Sequence, residues 1–282
     1  MKHSMWRRGT LVSAAAMLVL TASVAEAQRM ATSVKPADLP PAVRALQQGG
    51  LVVVSGDLPA PKGMKGWAAY KGQQPIALYS SDDGKQVIIG SMFDAAGYDV
   101  TRDPLERAVG PAISGVLWGQ LQQSNWIRDG SPNAKRVVYV FSDPNCPYCT
   151  RLWSDMRPWV KSGKVQVRHI MVGILTPTSL GKAAAILASK DPSEALNQHE
   201  VAQTSAGGFL TSMHVKLPDN LGVQPLTTIP DKVKAKLIAN EQLMASLDAN
   251  ATPAIYWQGE NGEIRSTLGA NPALLPSIMG SK

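Results

Sequence analysis

Cys146 and Cys149 are the only cysteines among the 282 residues, and they sit three positions apart in Cys146-Pro147-Tyr148-Cys149. A structural disulfide gains most when it closes a long loop and so restricts the unfolded chain. A bridge between these two closes almost no loop, so the pair is read as chemical rather than structural. A C-x-x-C pair serves two main chemistries. One is half of a zinc site, which needs two further Cys or His ligands. No further cysteine exists, and His169, His199 and His214 are scattered without ligand spacing, so no metal is expected. The other is thiol–disulfide exchange, in which a thiolate attacks a disulfide sulfur through a mixed disulfide.

The flanking residues say how the pair is held. Lys135–Phe141 is a short apolar run fit for a buried strand, and Ser142-Asp143-Pro144-Asn145 is a turn. From Cys146 a helix is predicted, with Leu152, Trp153, Met156, Trp159 and Val160 on one face and a kink at Pro158. A C-x-x-C between a strand and a helix start is the thioredoxin-like pattern. Unpaired N–H groups and the helix dipole at that start favour negative charge. They stabilise a thiolate at Cys146, in the range of roughly pKa 3.5–7.5 seen for such cysteines. Cys149, one turn on, is expected to be more buried and to attack the mixed disulfide. Pro147 and Tyr148 tune the redox preference. Tyr148 is expected to be exposed, with substrate contact and no contact both open. Asp143 either raises the Cys146 pKa as a like charge or forms the turn, and the turn is favoured. Trp153 and Trp159 are assigned to packing, and His169, within a strand, to structure.

Thr252-Pro253 follows a helix and opens a strand. A proline there, facing a dithiol, is a candidate for a cis bond. On the residues alone the trans form is favoured, because about 5–6% of X-Pro bonds are cis. Thr176-Pro177 is the rival, but Pro177 reads more simply as a helix-start proline.

The remaining elements form a frame around these residues. Lys2, Arg7 and Arg8, the apolar stretch 11–24 and Ala25-Glu26-Ala27 have the grammar of a secretory signal peptide over 1–27. The apolar run is too short and Ala-rich to span a bilayer comfortably. Both Sec and twin-arginine export stay open. Cleavage would remove three basic residues and one acid from a net charge of +7, leaving +5. With no dense basic stripe, nucleic-acid binding is not expected. Residues 28–100 are read as a small helix-plus-antiparallel-sheet domain: a helix at Pro41–Gln48, strands from Leu51, Trp67 and Pro75, a loop or bent strand over 57–66, and the turn Asp83-Gly84. Asp103-Pro104-Leu105-Glu106 is a strong helix start, and 101–128 is read as a linker helix with a possible kink at Gly110-Pro111. Residues 129–282 then run strand, helix, strand (Val165–Leu175), helices (Ser179–Ser189, Glu194–Gln203, Asp231–Asp248), a hairpin around Asn261-Gly262, and a terminal helix.

The run Phe141–Cys149, with Thr252-Pro253, resembles the DsbC/DsbG family of periplasmic disulfide isomerases. Val167–Lys190, continuing through Asp191-Pro192, resembles the helical insertion of the DsbG branch. The Pro-Tyr dipeptide is similar to that branch too, and the extra cysteine pair of some DsbC proteins is lacking. The resemblance covers most of the chain after residue 27, is strongest in 136–192 and 250–268, and is weak in 28–100. It implies an α+β/α/β fold: a thioredoxin-like catalytic domain with a helical insertion over 129–282, a linker helix, and a cystatin-like α+β dimerisation domain over 28–100. It implies a periplasmic, V-shaped homodimer whose two sites face a shared cleft, a DsbD-like membrane reductant, and no cofactor beyond a redox-active Cys146–Cys149 disulfide. Substrates would be proteins with mispaired disulfides or single cysteines oxidised to sulfenic acid. Carried over, Cys146 is the nucleophile and Cys149 the resolving thiol. Pro147 and Tyr148 would contact substrate, as would Thr252-Pro253, the cis-proline loop. Many thioredoxins place a buried acid six positions before the first cysteine. Here that position is Val140, so proton transfer at Cys149 needs another group. Three alternatives stay open: a disulfide-donating oxidase, a holdase chaperone with an apolar cleft, and a metal carrier.

Overall fold

A computed structural model describes residues 33–212 and 221–281. The expected signal peptide and His214 lie outside the described residues. The chain divides between Gly119 and Gln120 into two units.

In the first unit, strands β1 (Val52–Leu58), β2 (Met64–Lys71), β3 (Gln74–Ser81) and β4 (Val87–Ile89) form an antiparallel sheet in chain order. Gly72, at φ +63°, takes the left-handed position in the tight β2–β3 turn, where Lys71 pairs with Gln74. Five consecutive residues of β2, Gly66–Tyr70, are buried. Successive strand residues point to opposite faces, so both faces of this sheet must be covered. On one, Ala68, Tyr70, Ala77 and Tyr79 pack with Leu105, Val109 and Ala112 of helix α2 (Arg102–Gln123). On the other, Trp67, Ala69 and Leu78 pack with Leu39 and with Val43 of helix α1 (Pro41–Gln48).

The second unit is built on a five-stranded sheet ordered β5-β7-β6-β8-β9. Its strands are β5 (Trp126–Asp129), β6 (Arg136–Ser142), β7 (Val165–Met171), β8 (Ala254–Gln258) and β9 (Ile264–Leu268). Only β6 and β7 run parallel, joined by helix α3 (Pro147–Lys161). Val138 and Val140 of β6 pack with Leu152, Met156 and Trp159 of α3 and with Ile278 of the short terminal helix α7 (Leu275–Met279). The opposite face carries Phe141, edge-on to Tyr256 at 5.9 Å between ring centroids. Between β7 and β8 lie α4 (Ser179–Ala188), α5 (Pro192–Ser212) and α6 (Asp231–Ser246). Their core joins Ala183, Ile186, Leu196, Val233 and Leu237 to Ile127 and Met171 of the sheet.

Several expectations are corrected. The helix expected over 101–128 ends at Gln123, and Trp126–Asp129 is an edge strand hydrogen-bonded to β7. The second sheet therefore begins before residue 129. Four residues are too few to display alternation, and the partner strand lies about forty residues further on. Helix α2 runs on through Pro111. The strand expected over Val165–Leu175 stops at Met171, because the amides of Ile174 and Leu175 bond to the Asp143 side chain instead. Of the segment 57–66, residues 59–63 are a loop, as expected, and the remainder belongs to the ends of β1 and β2.

Candidate active site

Cys146 is the N-cap residue of α3. Its extended backbone (φ −88°, ψ 109°) turns the sulfur over the helix end, where it accepts the Cys149 N–H at 3.2 Å. Pro147 occupies the first helical position, where a missing N–H costs nothing. On its other side the Cys146 thiol donates to the Thr252 carbonyl oxygen at 3.4 Å. The Thr252-Pro253 bond is cis, and the Pro253 carbonyl accepts from the amide of Gly269, just past the end of β9. So the dithiol and the Thr252-Pro253 loop, 106 residues apart in sequence, meet at one sulfur.

Both cysteines are free thiols. Both are also buried: Cys146 is 2% exposed and Cys149 4%, which corrects the expected contrast in burial. The contrast lies in their acidity. The Cys149 thiol hydrogen-bonds to the Cys146 sulfur, which outweighs burial and lowers the Cys146 pKa. The Thr252 hydroxyl is buried with no partner at hydrogen-bonding geometry among the described residues, yet is close enough to favour that thiolate. Asp143 opposes it by like charge. At Cys149 burial dominates and, with the neighbouring sulfur, pushes the pKa well above its ordinary value. A thiolate is thus favoured at Cys146, and the Cys149 thiol is held protonated. Tyr148 is half exposed at 51% and Pro147 partly buried, while Trp153 and Trp159 belong to the core, as expected.

The turn before the dithiol is tied down by residues from the helical insertion. Asp143, fully buried, accepts from the amides of Asn145, Ile174 and Leu175 and from the Ser179 hydroxyl, at 2.7–3.0 Å. It does form the turn, and also clamps it to the segment after β7. Asn145 donates to the hydroxyls of Thr176 and Thr178 at 2.7 and 2.8 Å. His199 donates from Nε2 to the Pro144 carbonyl at 2.7 Å while its Nδ1 accepts the Val223 amide, which fixes the tautomer. Burial brings the His199 pKa down to about 4, so the ring is neutral at neutral pH.

A family model described as a thioredoxin-like domain matches residues 127–273. The thiol:disulfide interchange protein DsbG of Pseudomonas aeruginosa is 45% identical over 246 residues, covering 87% of this chain and 90% of that protein. DsbG of Escherichia coli is 36% identical over 246 residues, covering 87% and 93%. The chain belongs to the DsbG family of thiol:disulfide interchange proteins. It is a thiol–disulfide oxidoreductase of thioredoxin-like fold. Its likeness to DsbC is shorter: 32% identity to the Escherichia coli protein over 95 residues, 33% of this chain and 36% of that one.

Beside this DsbG-type dithiol lie residues that the sequence analysis missed. Glu200 is buried at 2% exposure on α5, which packs along α3. Lys182, fully buried on α4, donates to Asn145 and to the Leu221 carbonyl. On β5, Asp129 receives two hydrogen bonds from Arg157 and lies 3.3 Å from Nε2 of His169, whose Nδ1 is 3.4 Å from the Ser142 hydroxyl. Burial alone would raise the Asp129 pKa, but the bonds from His169 and Arg157 hold it far below the carboxylate range. A usable signal existed for α5. Leu196, His199, Glu200 and Gln203 have the spacing of one buried stripe, and three of the four are polar.

Proposed function

We propose that Cys146 is the attacking thiol and Cys149 the resolving thiol of a periplasmic enzyme that reduces or isomerises non-native protein disulfides and reduces sulfenylated single cysteines. The observation that carries the reading is the Cys146 sulfur itself. It caps α3, accepts the Cys149 amide and touches the Thr252 carbonyl beside a cis proline. The Cys146 thiolate attacks a substrate disulfide, forming a mixed disulfide and releasing one substrate thiolate. Cys149 then attacks the Cys146 sulfur, which frees the second substrate sulfur as a thiol and leaves the protein oxidised. In isomerisation the released thiolate attacks a second substrate disulfide, and the thiolate freed there attacks the substrate sulfur of the mixed disulfide, so that Cys146 departs reduced. With a sulfenic acid, the Cys146 thiolate displaces hydroxide, which leaves as water on taking a proton from solvent, and Cys149 resolves the mixed disulfide in the same way.

The surrounding residues support this order. The lowered Cys146 pKa favours the first attack, and the raised Cys149 pKa holds the second thiol back. Tyr148, exposed between the cysteines, and Pro147 face an incoming chain, and the backbone at Thr252-Pro253 pairs with it in extended form. Working as a homodimer through residues 28–100, with reduction by a DsbD-like membrane protein, belongs to the same proposal. Its support is the resemblance to DsbG and the exported character of residues 1–27. Specific observations favour neither a disulfide-donating oxidase nor a holdase over this.

The test is a trap. A Cys149→Ala variant expressed in its own compartment should accumulate mixed disulfides on Cys146, identifiable by mass spectrometry. Clients with several cysteines indicate disulfide shuffling. Clients with one indicate sulfenate rescue. Capture no greater than with a Cys146→Ala control would overturn the proposal.

A further inference from the structure

We propose that Glu200 is the proton-transfer group for Cys149, taking its proton as it attacks and returning it when the dithiol is restored. The inference rests on Cys149 being the resolving thiol. It starts from a difficulty: a buried thiol kept protonated is a poor nucleophile until something removes its proton, and Val140 has no group that can do so.

The geometry points to α5. This helix packs along α3, the helix of the dithiol. Glu200 lies inside that contact, near enough to the hydroxyl of Thr150, the residue next to Cys149, for that hydroxyl to favour its carboxylate. Its second oxygen, Oε2, is buried without a hydrogen-bond partner among the described residues. Three and four positions on, along the same face of α5, Gln203 Oε1 and Thr204 Oγ1 are also buried with no hydrogen-bond partner among the described residues. Buried polar atoms in folded proteins nearly always have partners, so three orphans on one helical turn call for an explanation. A structural carboxylate would be paired, as Asp129 is in the same unit. Glu200 instead has an acceptor without a partner among the described residues and an electrostatic connection to the Cys149 sulfur.

The charged and titratable groups around Glu200 are few. From α3 come Cys149 and Arg157, and from β5 comes Asp129, itself tied to His169 of β7. On α5, His199 faces Lys182 of α4 and the Pro144 carbonyl. Burial pushes the Glu200 carboxyl up to about 7, against the Thr150 hydroxyl and the Arg157 charge. It is therefore present in both protonation states near neutral pH, as an efficient acid–base group must be.

The step balances. In the mixed disulfide, the Cys149 thiol gives its proton to the Glu200 carboxylate, and the Cys149 sulfur attacks Cys146. The Cys146–substrate bond breaks and the substrate sulfur leaves with the electron pair, protonated from solvent. The protein dithiol has lost two electrons to the substrate disulfide. Re-reduction of the Cys146–Cys149 disulfide returns the Glu200 proton to Cys149.

The experiment uses a substoichiometric amount of an aromatic disulfide whose thiolate absorbs visible light, mixed rapidly with the reduced protein. The first burst reads attack by Cys146 and the second reads resolution by Cys149. In wild type the second phase should accelerate as pH rises through about 7. In Glu200→Gln it should be slower on the order of 10²-fold at neutral pH and lack that step. Thr150→Val, which removes the hydroxyl favouring the carboxylate, should move the step to higher pH. It supplies the test if Glu200→Gln does not fold. An unchanged second phase in Glu200→Gln, or an unmoved step in Thr150→Val, after a normal first phase, overturns the role of Glu200 alone. Absence of the first phase in wild type overturns the Cys146 assignment and this inference with it.

Discussion

The ammonium of Lys182, fully buried on α4, donates to the Oδ1 of Asn145 at 2.9 Å, one residue before the dithiol. An unpaired buried charge would be costly, and this one is held by Asn145 and by the Leu221 carbonyl. The link fastens the insertion to the residue that leads into the N-cap of α3. The insertion therefore holds the dithiol turn in place.

That coupling is measurable. A double-mutant cycle of Lys182→Met and Asn145→Ala, read by urea denaturation, should give an interaction energy of about 1.5–3 kcal/mol, the range for a hydrogen bond to a charged group. Strictly additive effects would show that the pair does not stabilise the turn.

Asp143 acts on the reactive sulfur by charge while holding the turn by hydrogen bonds. Asp143→Asn removes the like charge that raises the Cys146 pKa, so the thiolate should form at lower pH. An ultraviolet thiolate titration of the reduced protein checks it. A pKa moved upward would mean that loosening of the turn outweighs the charge.

Stability should respond to two buried groups with opposite signs. The folded His199 has its pKa lowered to about 4, so the unfolded chain takes up more protons below about 6.5 and stability from this group is lost as pH falls from there toward 4. The folded Glu200 has its pKa raised to about 7, so its neutral form favours the fold at acid pH and stability is lost as pH rises from about 4.5 through 7. The two trends largely cancel between those limits in wild type. In Glu200→Gln the His199 trend should stand alone. The variant should gain about 3 kcal/mol on wild type between pH 4.5 and 7, at roughly 1.4 kcal/mol per pKa unit. Parallel pH profiles from chemical denaturation would contradict it.

Asp129 predicts the acid limb. Its folded pKa is depressed, so its contribution is full above the unfolded value near 4 and is lost as pH falls below it. Asp129→Asn should be less stable than wild type at neutral pH, and the gap should narrow steadily on acidification. A constant gap would mean that the carboxyl contributes by packing and not by its charge.

How much of this was legible depended on range along the chain. The thiol chemistry, the α3 start at Cys146, α1 at Pro41–Gln48, the Asn261-Gly262 hairpin and the exposure of Tyr148 follow from neighbours within a few residues. Turn chemistry, caps and three-to-four spacing act at that range. The Thr252-Pro253 bond needed resemblance as well, because local preference pointed to trans. By itself the sequence determined the class of reaction open to the chain, since two cysteines on a helix start leave few other chemistries. Only the tertiary structure decided that Trp126–Asp129 is a strand and that both cysteines are buried. It alone placed Lys182, His199 and Glu200 behind the dithiol. The reason is physical: a strand exists by virtue of its partner, and a buried polar side chain takes its pKa from groups on other elements packed against it. Local pattern could mark His199, Glu200 and Gln203 as a polar stripe on a face that must be buried. What that stripe would touch was settled by packing.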